Sequence, residues 1–287
     1  PIGVVIPRNV DDVVKTMKLC RKFGAPVLSR GGGTSLGGQC CNVAVVMDMS
    51  KYLHKILDLD PENKTARVQP GVVLDHLRNA AEKYHLTFAP DPATHTHNTL
   101  GGMIGNNSCG IHSVMGGKTD DNIHELEILT YDGLRMRVGK TDEAAYNRII
   151  QEGGRRAEIY KKLKNLRDLY ADLIRRRYPD IPRQVSGYNL THLLPEKGFH
   201  IARALVGSEG TCVTVLEAVT RLVHSPPYRA LLVLGYPDIY FAAEHVTEIL
   251  EYGPVGLEGI DNQLISDMLL KNLHPRNVEL LPKRSEE

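Results

Sequence analysis

The sequence predicts a mixed α+β fold in two parts, and three observations carry that reading. Strand-like and helix-like segments alternate from the first residues. Glycine-rich turns follow strand-like or loop segments at three separate places. A Pro-rich segment, His224-Ser225-Pro226-Pro227, divides a long first part from a short second one. The chain has 287 residues, enough for one large domain or two smaller ones and for a real core without disulfide or metal staples. Hydrophobic residues make up 42% and charged residues 24%, an ordinary globular composition. Lys plus Arg number 35 against 34 Asp plus Glu, a net charge of +1, so the charge balance argues for neither nucleic acid nor a charged membrane as partner. No apolar run approaches the roughly 18 residues that span a bilayer, and the start shows no signal-peptide pattern, so a soluble protein is expected rather than an integral membrane one.

The elements follow in order. Residues 1–7 read as a strand. Asn9 can cap a helix whose apolar positions Val10, Val13, Val14, Met17 and Cys20 keep the helical period, and Gly24 closes it. Strands are predicted at 26–29 and 43–47, with a glycine cluster between them. Residues 54–69 read as a hairpin turning at Pro61-Glu62-Asn63-Lys64, and 74–84 as a helix. A loop rich in Pro, Thr and His leads into a second glycine cluster over 101–117. Strands over 123–130 and 134–138 flank Asp132-Gly133, a strong hairpin signal. Residues 141–177 read as helical, with nine Lys or Arg between Arg155 and Arg177 that suit a solvated face or an acidic docking partner. A short strand at Leu205-Val206 and a long one over 211–223 end the first part. Beyond the linker the pattern predicts a strand over 230–235, a helix over 239–252, a strand over 255–259 and a further helical start. This half-layer lacks a closing partner before the charged end, 283–287, so the second part reads as truncated. The first residue is Pro1, already inside a strand-like run, and the chain reads as a piece of a longer protein.

The five cysteines, Cys20, Cys40, Cys41, Cys109 and Cys212, are odd in number and irregular in spacing. They form no disulfide framework and no CxxC pair, so neither a zinc knuckle nor an iron–sulfur cluster is encoded here, and reduced thiols in a cytoplasmic setting are expected.

The sharpest chemical feature is Arg30-Gly31-Gly32-Gly33-Thr34-Ser35-Leu36-Gly37-Gly38-Gln39. Consecutive glycines permit positive φ and close approach of backbone to ligand, and such a turn can aim successive N–H groups at a phosphate. It is not a Walker A loop, because no Gly-Lys-Ser/Thr follows, and it is not the Rossmann fingerprint, because Leu36 stands where a glycine is required. The second cluster, Gly101-Gly102-Met103-Ile104-Gly105-Asn106-Asn107-Ser108-Cys109-Gly110, again removes bulk, as a backbone lying against a flat ring system requires. The third, Gly207-Ser208-Glu209-Gly210, suits a tight turn equally well.

Three clusters in this order resemble the FAD-binding domain of the vanillyl-alcohol oxidase and p-cresol methylhydroxylase flavoproteins. More narrowly they resemble the branch with the glycolate oxidase subunit, D-lactate dehydrogenase and D-2-hydroxyglutarate dehydrogenase. The resemblance covers residues 1–223, a two-subdomain α+β fold split near 100–120. Ser186-Gly187-Tyr188-Asn189-Leu190 also matches a segment of that branch. Residues 228–287 resemble the start of its α/β substrate-covering cap. It implies that Arg30, Gly31, Gly32, Gly33, Thr34 and Ser35 bind the FAD diphosphate through backbone amides. Pro90, Thr99, Leu100, Gly101, Gly102, Asn107, Ser108 and Gly110 would line the flavin and ribityl chain. Glu209, Gly210, Val213 and Val215 would meet the adenosine, although many relatives have glycine where Val213 stands. Relatives with covalent flavin carry His at the position of Thr34, so dissociable FAD is implied.

The reaction implied is oxidation of a 2-hydroxy acid resembling D-lactate: a hydride equivalent leaves the α-carbon for the flavin while a base removes the hydroxyl proton. Electrons would pass to a quinone, a cytochrome or an iron–sulfur module, since no nicotinamide site is visible. An iron–sulfur cluster would belong only to a missing C-terminal part. The implied location is the cytoplasm or the periphery of the inner membrane. Family members supply substrate-binding and metal-binding histidines from the later half of the cap. No such motif follows Pro227, so a cofactor cradle with an incomplete catalytic centre is expected. The alternatives are an enolpyruvyl-sugar reductase-like flavoenzyme and a non-catalytic flavin-fold subunit of an oxidase complex. Among remaining candidates, His112 follows the second cluster and suits a flavin-proximal role, while Tyr188 and Asn189 reach either the active-site face or loop packing. His95 and His97 alternate in a loop without a third ligand nearby, so no metal site is expected. Replacing Gly32 and Gly33 with Val is expected to abolish FAD retention and leave the fold largely intact.

Overall fold

Asn9 starts the first helix as its side chain suggests: its backbone is extended and its Oδ1 accepts a hydrogen bond from the Asp12 N–H at 2.9 Å. Asp11 and Asp12 in the first turn and Arg21 and Lys22 in the last complement the helix dipole. Val13, Met17 and Cys20 form its buried stripe. The structure, a computed structural model, describes residues 1–281. These fall into two compact units, Pro1–Ser225 and a second beginning at Pro226.

The first unit opens with β1 (Gly3–Val5), α1 (Val10–Lys22), β2 (Val27–Arg30) and β3 (Val45–Asp48). The three strands form a parallel sheet in the order β1-β3-β2, as a strand–helix–strand pattern requires. The loop that leaves β2 is the first glycine cluster. β4 (Ile56–Asp60) and β5 (Thr65–Val68) make the predicted hairpin, and α2 (Leu74–Glu82) and β6 (Leu86–Thr87) follow. The second cluster is no open loop: most of it winds into α3 (Leu100–Asn106), and α4 (Ser113–Gly116) comes just after. β7 (Ile123–Leu129) and β8 (Arg135–Gly139) form the second hairpin around Asp132-Gly133. The predicted single helix over 141–177 is two, α5 (Glu143–Glu152) and α6 (Gly154–Arg177). Gly153 and Gly154 take φ of +71° and +70° between them, a conformation no α-helix continues through. The strand predicted at Leu205-Val206 is corrected. Leu205 ends α7 (Ile201–Leu205), whose first turn is capped by the His200 side chain, so two apolar residues alone did not mark a strand. β9 (Thr214–Arg221) and β10 (Val223–His224) close the unit, β10 pairing with β6.

β4, β5, β9, β7 and β8 form a five-stranded antiparallel sheet in that order. Its inner face and α2, α3 and α6 enclose the main core, with Leu74, Leu77, Phe88, Leu100, Met103, Leu126 and Tyr160 fully buried. A smaller core joins the two sheets: Val13, Met17, Met47 and Met49 pack with Leu129 of β7 and Leu216 of β9. Beside it the Ser29 and Thr214 hydroxyls meet at 3.3 Å, tying β2 to β9. The two sheets are thus fixed to each other along the line where β2 releases its glycine loop.

The second unit contains α8 (Ile239–Glu244), α9 (Val246–Glu251), α10 (Asn262–Leu270) and α11 (Pro275–Val278). The helix predicted over 239–252 breaks at His245. The strands predicted over 230–235 and 255–259 do not form, and among the described residues of this unit there is no strand and no buried side chain. A strand exists only through its ladder, and these two apolar runs do not pair. The charged segment 283–287 lies outside the described residues.

Candidate functional site

All three glycine clusters border one cleft of about 530 Å³, within the usual range for a small-molecule site. One wall is the loop after β2, from Arg30 through Ser35 to Cys40. A second is α3 with Asn98 and Thr99 before it. A third is the turn at Ser208, Glu209 and Gly210 with Val213 and Val215 beyond. The walls are joined by backbone. Gly207 N–H donates to Ile104 O at 2.8 Å and Glu209 N–H to Gly105 O at 2.9 Å, so the last turn of α3 anchors the third cluster. Thr99 caps α3 through its Oγ1, which accepts from Gly102 N–H at 3.4 Å.

The glycines do two different jobs. A Cβ on Gly31 would lie 2.0 Å from Thr99 Oγ1, and one on Gly32 would lie 2.2 Å from His97 O. These two are glycine because the first and second walls touch there. Gly33, with φ of +69°, serves the turn itself. A Cβ on Gly105, in contrast, would meet nothing within 4 Å, and one on Gly102 only Thr99 Oγ1 at 3.5 Å. Their missing side chains leave free space along α3.

Of the predicted cofactor residues, Arg30, Gly31, Gly32, Gly33, Thr34, Ser35, Thr99, Gly101, Gly102, Ser108, Glu209, Gly210, Val213 and Val215 line the cleft. The Arg30 guanidinium is turned to Asp48 at 3.5 Å, which leaves its backbone for the loop. Burial raises the Glu209 carboxyl above its ordinary pKa. Four predicted residues stand behind the lining rather than in it. Pro90 and Leu100 are buried in the core, Asn107 binds Asp120, and Gly110 packs on Asp91, whose carbonyl would lie 2.2 Å from a Cβ there. His112 is also outside the lining, gripped by Asp91: Nδ1 lies 2.5 Å from Oδ2, and the backbone N–H donates to Oδ1 at 2.9 Å. Tyr188 is exposed, its hydroxyl 2.9 Å from Thr211 Oγ1. Asn189 takes the second of its two expected places, loop packing, buried with its Nδ2 donating to Asp120 Oδ2 at 3.1 Å and Val206 O at 2.9 Å. His95 and His97 go separate ways, to Asp75 Oδ2 at 2.8 Å and Thr96 Oγ1 at 2.6 Å. Sequence reasoning missed Asn98, which borders the cleft and carried no pattern signal.

Residues 1–139 match the family model described as an FAD binding domain. Residues 1–139 are thus similar to the FAD-binding domains that this model describes. It is 31% identical over 272 residues to the D-2-hydroxyglutarate dehydrogenase of Pseudomonas putida, covering 92% of this chain and 27% of that protein. It is 31% identical over 264 residues to the glycolate oxidase subunit GlcD of Bacillus subtilis, covering 91% and 46%. With the D-lactate dehydrogenase of Archaeoglobus fulgidus it shares 28% identity over 263 residues, 91% of this chain and 48% of that one. The chain therefore spans between about a quarter and a half of these relatives. The fold is similar to that of a solved alkyldihydroxyacetonephosphate synthase, with a TM-score of 0.57 at 20% identity over 88% of this chain and 38% of the other.

The cleft fits FAD on its own terms. It is bordered by all three glycine clusters, and Gly102 and Gly105 leave a slot where side chains would stand. It is also bordered by a buried amide, that of Asn98, whose nitrogen and oxygen have no partner. Among the described residues no helix is long and apolar enough to cross a membrane, and no group of three His, Cys, Asp or Glu side chains gathers to hold a metal.

Proposed function

We propose that this chain serves FAD-dependent oxidation of a 2-hydroxy acid resembling D-lactate, with FAD held non-covalently and electrons leaving to a quinone, cytochrome or iron–sulfur partner. The single observation that carries the cofactor assignment is the convergence of three glycine clusters on one cleft. The reaction class rests on the kinship with hydroxy-acid dehydrogenases. Bound FAD would supply the two-electron acceptor that the oxidation needs.

The chain's own residues then divide the work. The backbone of Arg30, Gly31, Gly32, Gly33, Thr34 and Ser35 holds the diphosphate. Thr99, Gly101, Gly102 and Ser108 line the flavin and ribityl part, while Glu209, Gly210, Val213 and Val215 face the adenosine. Pro90, Leu100, Asn107 and Gly110 act from behind, keeping α3 and its flanking loops in place. Thr34 has no nucleophile suited to a flavin bond, which favours a dissociable cofactor. Free thiols at all five cysteines suit a cytoplasmic protein, and a peripheral place at the inner membrane suits a quinone acceptor.

The test is to titrate the full gene product with FAD and then bleach the bound flavin anaerobically with a panel of 2-hydroxy acids. The expected result is a yellow protein that releases all its flavin on acid precipitation and is bleached fastest by a D-2-hydroxy acid. A protein that takes up no FAD overturns the cofactor site. A yellow protein that no 2-hydroxy acid bleaches overturns the substrate class alone.

A further inference from the structure

A second cavity of about 530 Å³, which shares no lining residue with the cleft, lies where β5, β7, β8 and β9 meet α5 and α6. Four cations border it, Arg67, Arg137, Lys140 and Arg156, against one carboxylate, Glu125. That carboxylate is already shared, 3.0 Å from Arg137 and 3.8 Å from Arg67. Arg67 and Arg137 also reach Glu217, at 3.4 and 3.5 Å, so these two guanidiniums are matched by acids. Lys140 and Arg156 are not. Among the described residues the Lys140 ammonium has no hydrogen-bond or ion-pair partner, while its stem is laid down on Gly198, where a Cβ would come 2.5 Å from Cε. Arg156 meets its carboxylate, Glu152, only at 3.8 Å, and its guanidinium lies 5.6 Å over the Tyr160 ring, a contact that fixes the plane of the side chain. His124 borders the same cavity. Its pKa is kept below the ordinary histidine value by burial and then by Arg203 and Arg221, as positive surroundings do to an imidazole.

We propose that this cavity is a second ligand site, for a small oxyanion with two or more negative charges held by Lys140 and Arg156. A space of this size, with a surplus of cations and its one carboxylate already shared, takes an anion of small-molecule size. Two charges are required because the unmatched cations stand on separate elements, Lys140 just past β8 and Arg156 on α6, and a single charge leaves one of them unmatched. The chain as a whole carries a net charge of only +1, so the surplus is local and suits a small bound anion, not a nucleic acid. Phosphate esters and di- or tricarboxylates share this chemistry. The site stands apart from the FAD reading, since none of its residues borders the cleft.

The test titrates the chain calorimetrically with pyrophosphate and, separately, with citrate, at about 0.1 M salt and with FAD present to occupy the cleft. A chain that takes up no FAD is titrated without it, and the comparison of variants is unaffected. Lys140→Gln and Arg156→Gln remove the unmatched cations, and Lys161→Gln removes an exposed cation of α6 that does not border the cavity. At least one probe is expected to bind the unmodified chain with a dissociation constant below about 1 mM. Lys140→Gln and Arg156→Gln are each expected to bind it about five-fold or more weakly, with Lys161→Gln unchanged. The melting temperatures without probe are expected to stay within about 2 °C of the unmodified chain, which separates lost binding from lost folding. Tighter pyrophosphate marks the phosphate class, and tighter citrate the carboxylate class. No binding of either probe below about 1 mM overturns the proposal. Equal dissociation constants in the unmodified chain and both cavity variants overturn it too, and so does an equal loss in Lys161→Gln, which would make the attraction one of general charge.

Discussion

At the start of α3, Asn98 and Thr99 border the cleft, and Gly102 and Gly105 leave room along the same helix. At its end, the Asn107 Oδ1 accepts from the N–H of Asp120, whose carboxylate is held from several sides, while the Asn107 Nδ2 has no partner. Asp120 is 2% exposed, with His192 Nε2 and Asn189 Nδ2 each 3.1 Å from Oδ2 and Lys118 Nζ 3.3 Å from Oδ1. Burial works against its charge, yet the His192 bond, the Lys118 ammonium and the Asn107 contact hold the carboxyl below the usual carboxylate pKa. The end of this seven-residue helix is tied into a buried ionic network, whereas its length runs beside open space.

The hardest blow to that contrast is Asp120→Ala. It would take the Asp120 carboxylate from His192, leave Lys118 to Asp121 alone and Asn189 to Val206 O alone, and is expected to cost about 3–5 kcal/mol of stability. Urea unfolding of the FAD-free chain measures it, and a midpoint within error of the unmodified chain would mean that the network is ornamental. Gly32→Val comes next. The sequence alone suggested that replacing Gly32 and Gly33 together with Val would remove FAD and largely spare the fold, but a side chain at Gly32 strikes the His97 carbonyl. A loss of roughly 2–3 kcal/mol is expected, with FAD binding lost alongside. A full-strength melt with FAD absent would restore the simpler view of this loop as a ligand surface only.

Gly105→Leu is the clean probe of the open side. Its Cβ meets no atom within 4 Å, and leaving glycine inside a helix favours α3 by about 1 kcal/mol. The fold should hold or gain slightly while FAD affinity drops roughly 100-fold, about 2.7 kcal/mol. Fluorescence titration beside a thermal melt separates the two quantities. Normal FAD binding in this variant would remove the cleft from consideration.

The difference between these two glycines explains what the sequence could and could not disclose. Glycine clusters advertise backbone freedom wherever it is used, and it was the family resemblance carried by their order that implied a shared site. The reason for each glycine was not legible, because the contact of Gly31 and Gly32 with residues 97–99 is tertiary. The hairpins at 61–64 and 132–133 and the cap at Asn9 were legible because each is decided within four or five residues. The strands expected over 230–235 and 255–259 were misjudged for the opposite reason: apolar runs supply propensity, and only a neighbour supplies a ladder. Asn98 left no trace in the sequence because a single Asn in a loop has no period. Asn189 was noticed through its segment, yet its amide is spent on Asp120 and Val206.

The smallest expected effect concerns pH and separates the ionic network from the cleft once more. His200 is buried, its Nδ1 accepts from Arg203 N–H at 3.4 Å, and its backbone N–H donates to His192 O at 2.7 Å. Burial first, then the charges of Arg203, His192 and His124, push its pKa down to about 3. Folded, it stays neutral to about pH 3; unfolded, it takes a proton near pH 6.5, so between those values the unfolded chain binds more protons. Its contribution is complete above pH 6.5 and is lost as pH falls toward 3. His124, lowered by burial and by Arg203 and Arg221, adds a slope of the same sign. Between pH 6.5 and 5 the His200 part is expected to be on the order of 1 kcal/mol. Urea midpoints across that range should fall for the unmodified chain and fall less for His200→Leu. His200 does not line the cleft, so FAD affinity relative to the unmodified chain should be the same in that variant at both ends of the range. An equal slope with and without His200 would show that it is protonated in the folded chain, and a change in FAD affinity would show that the two ends of α3 are coupled after all.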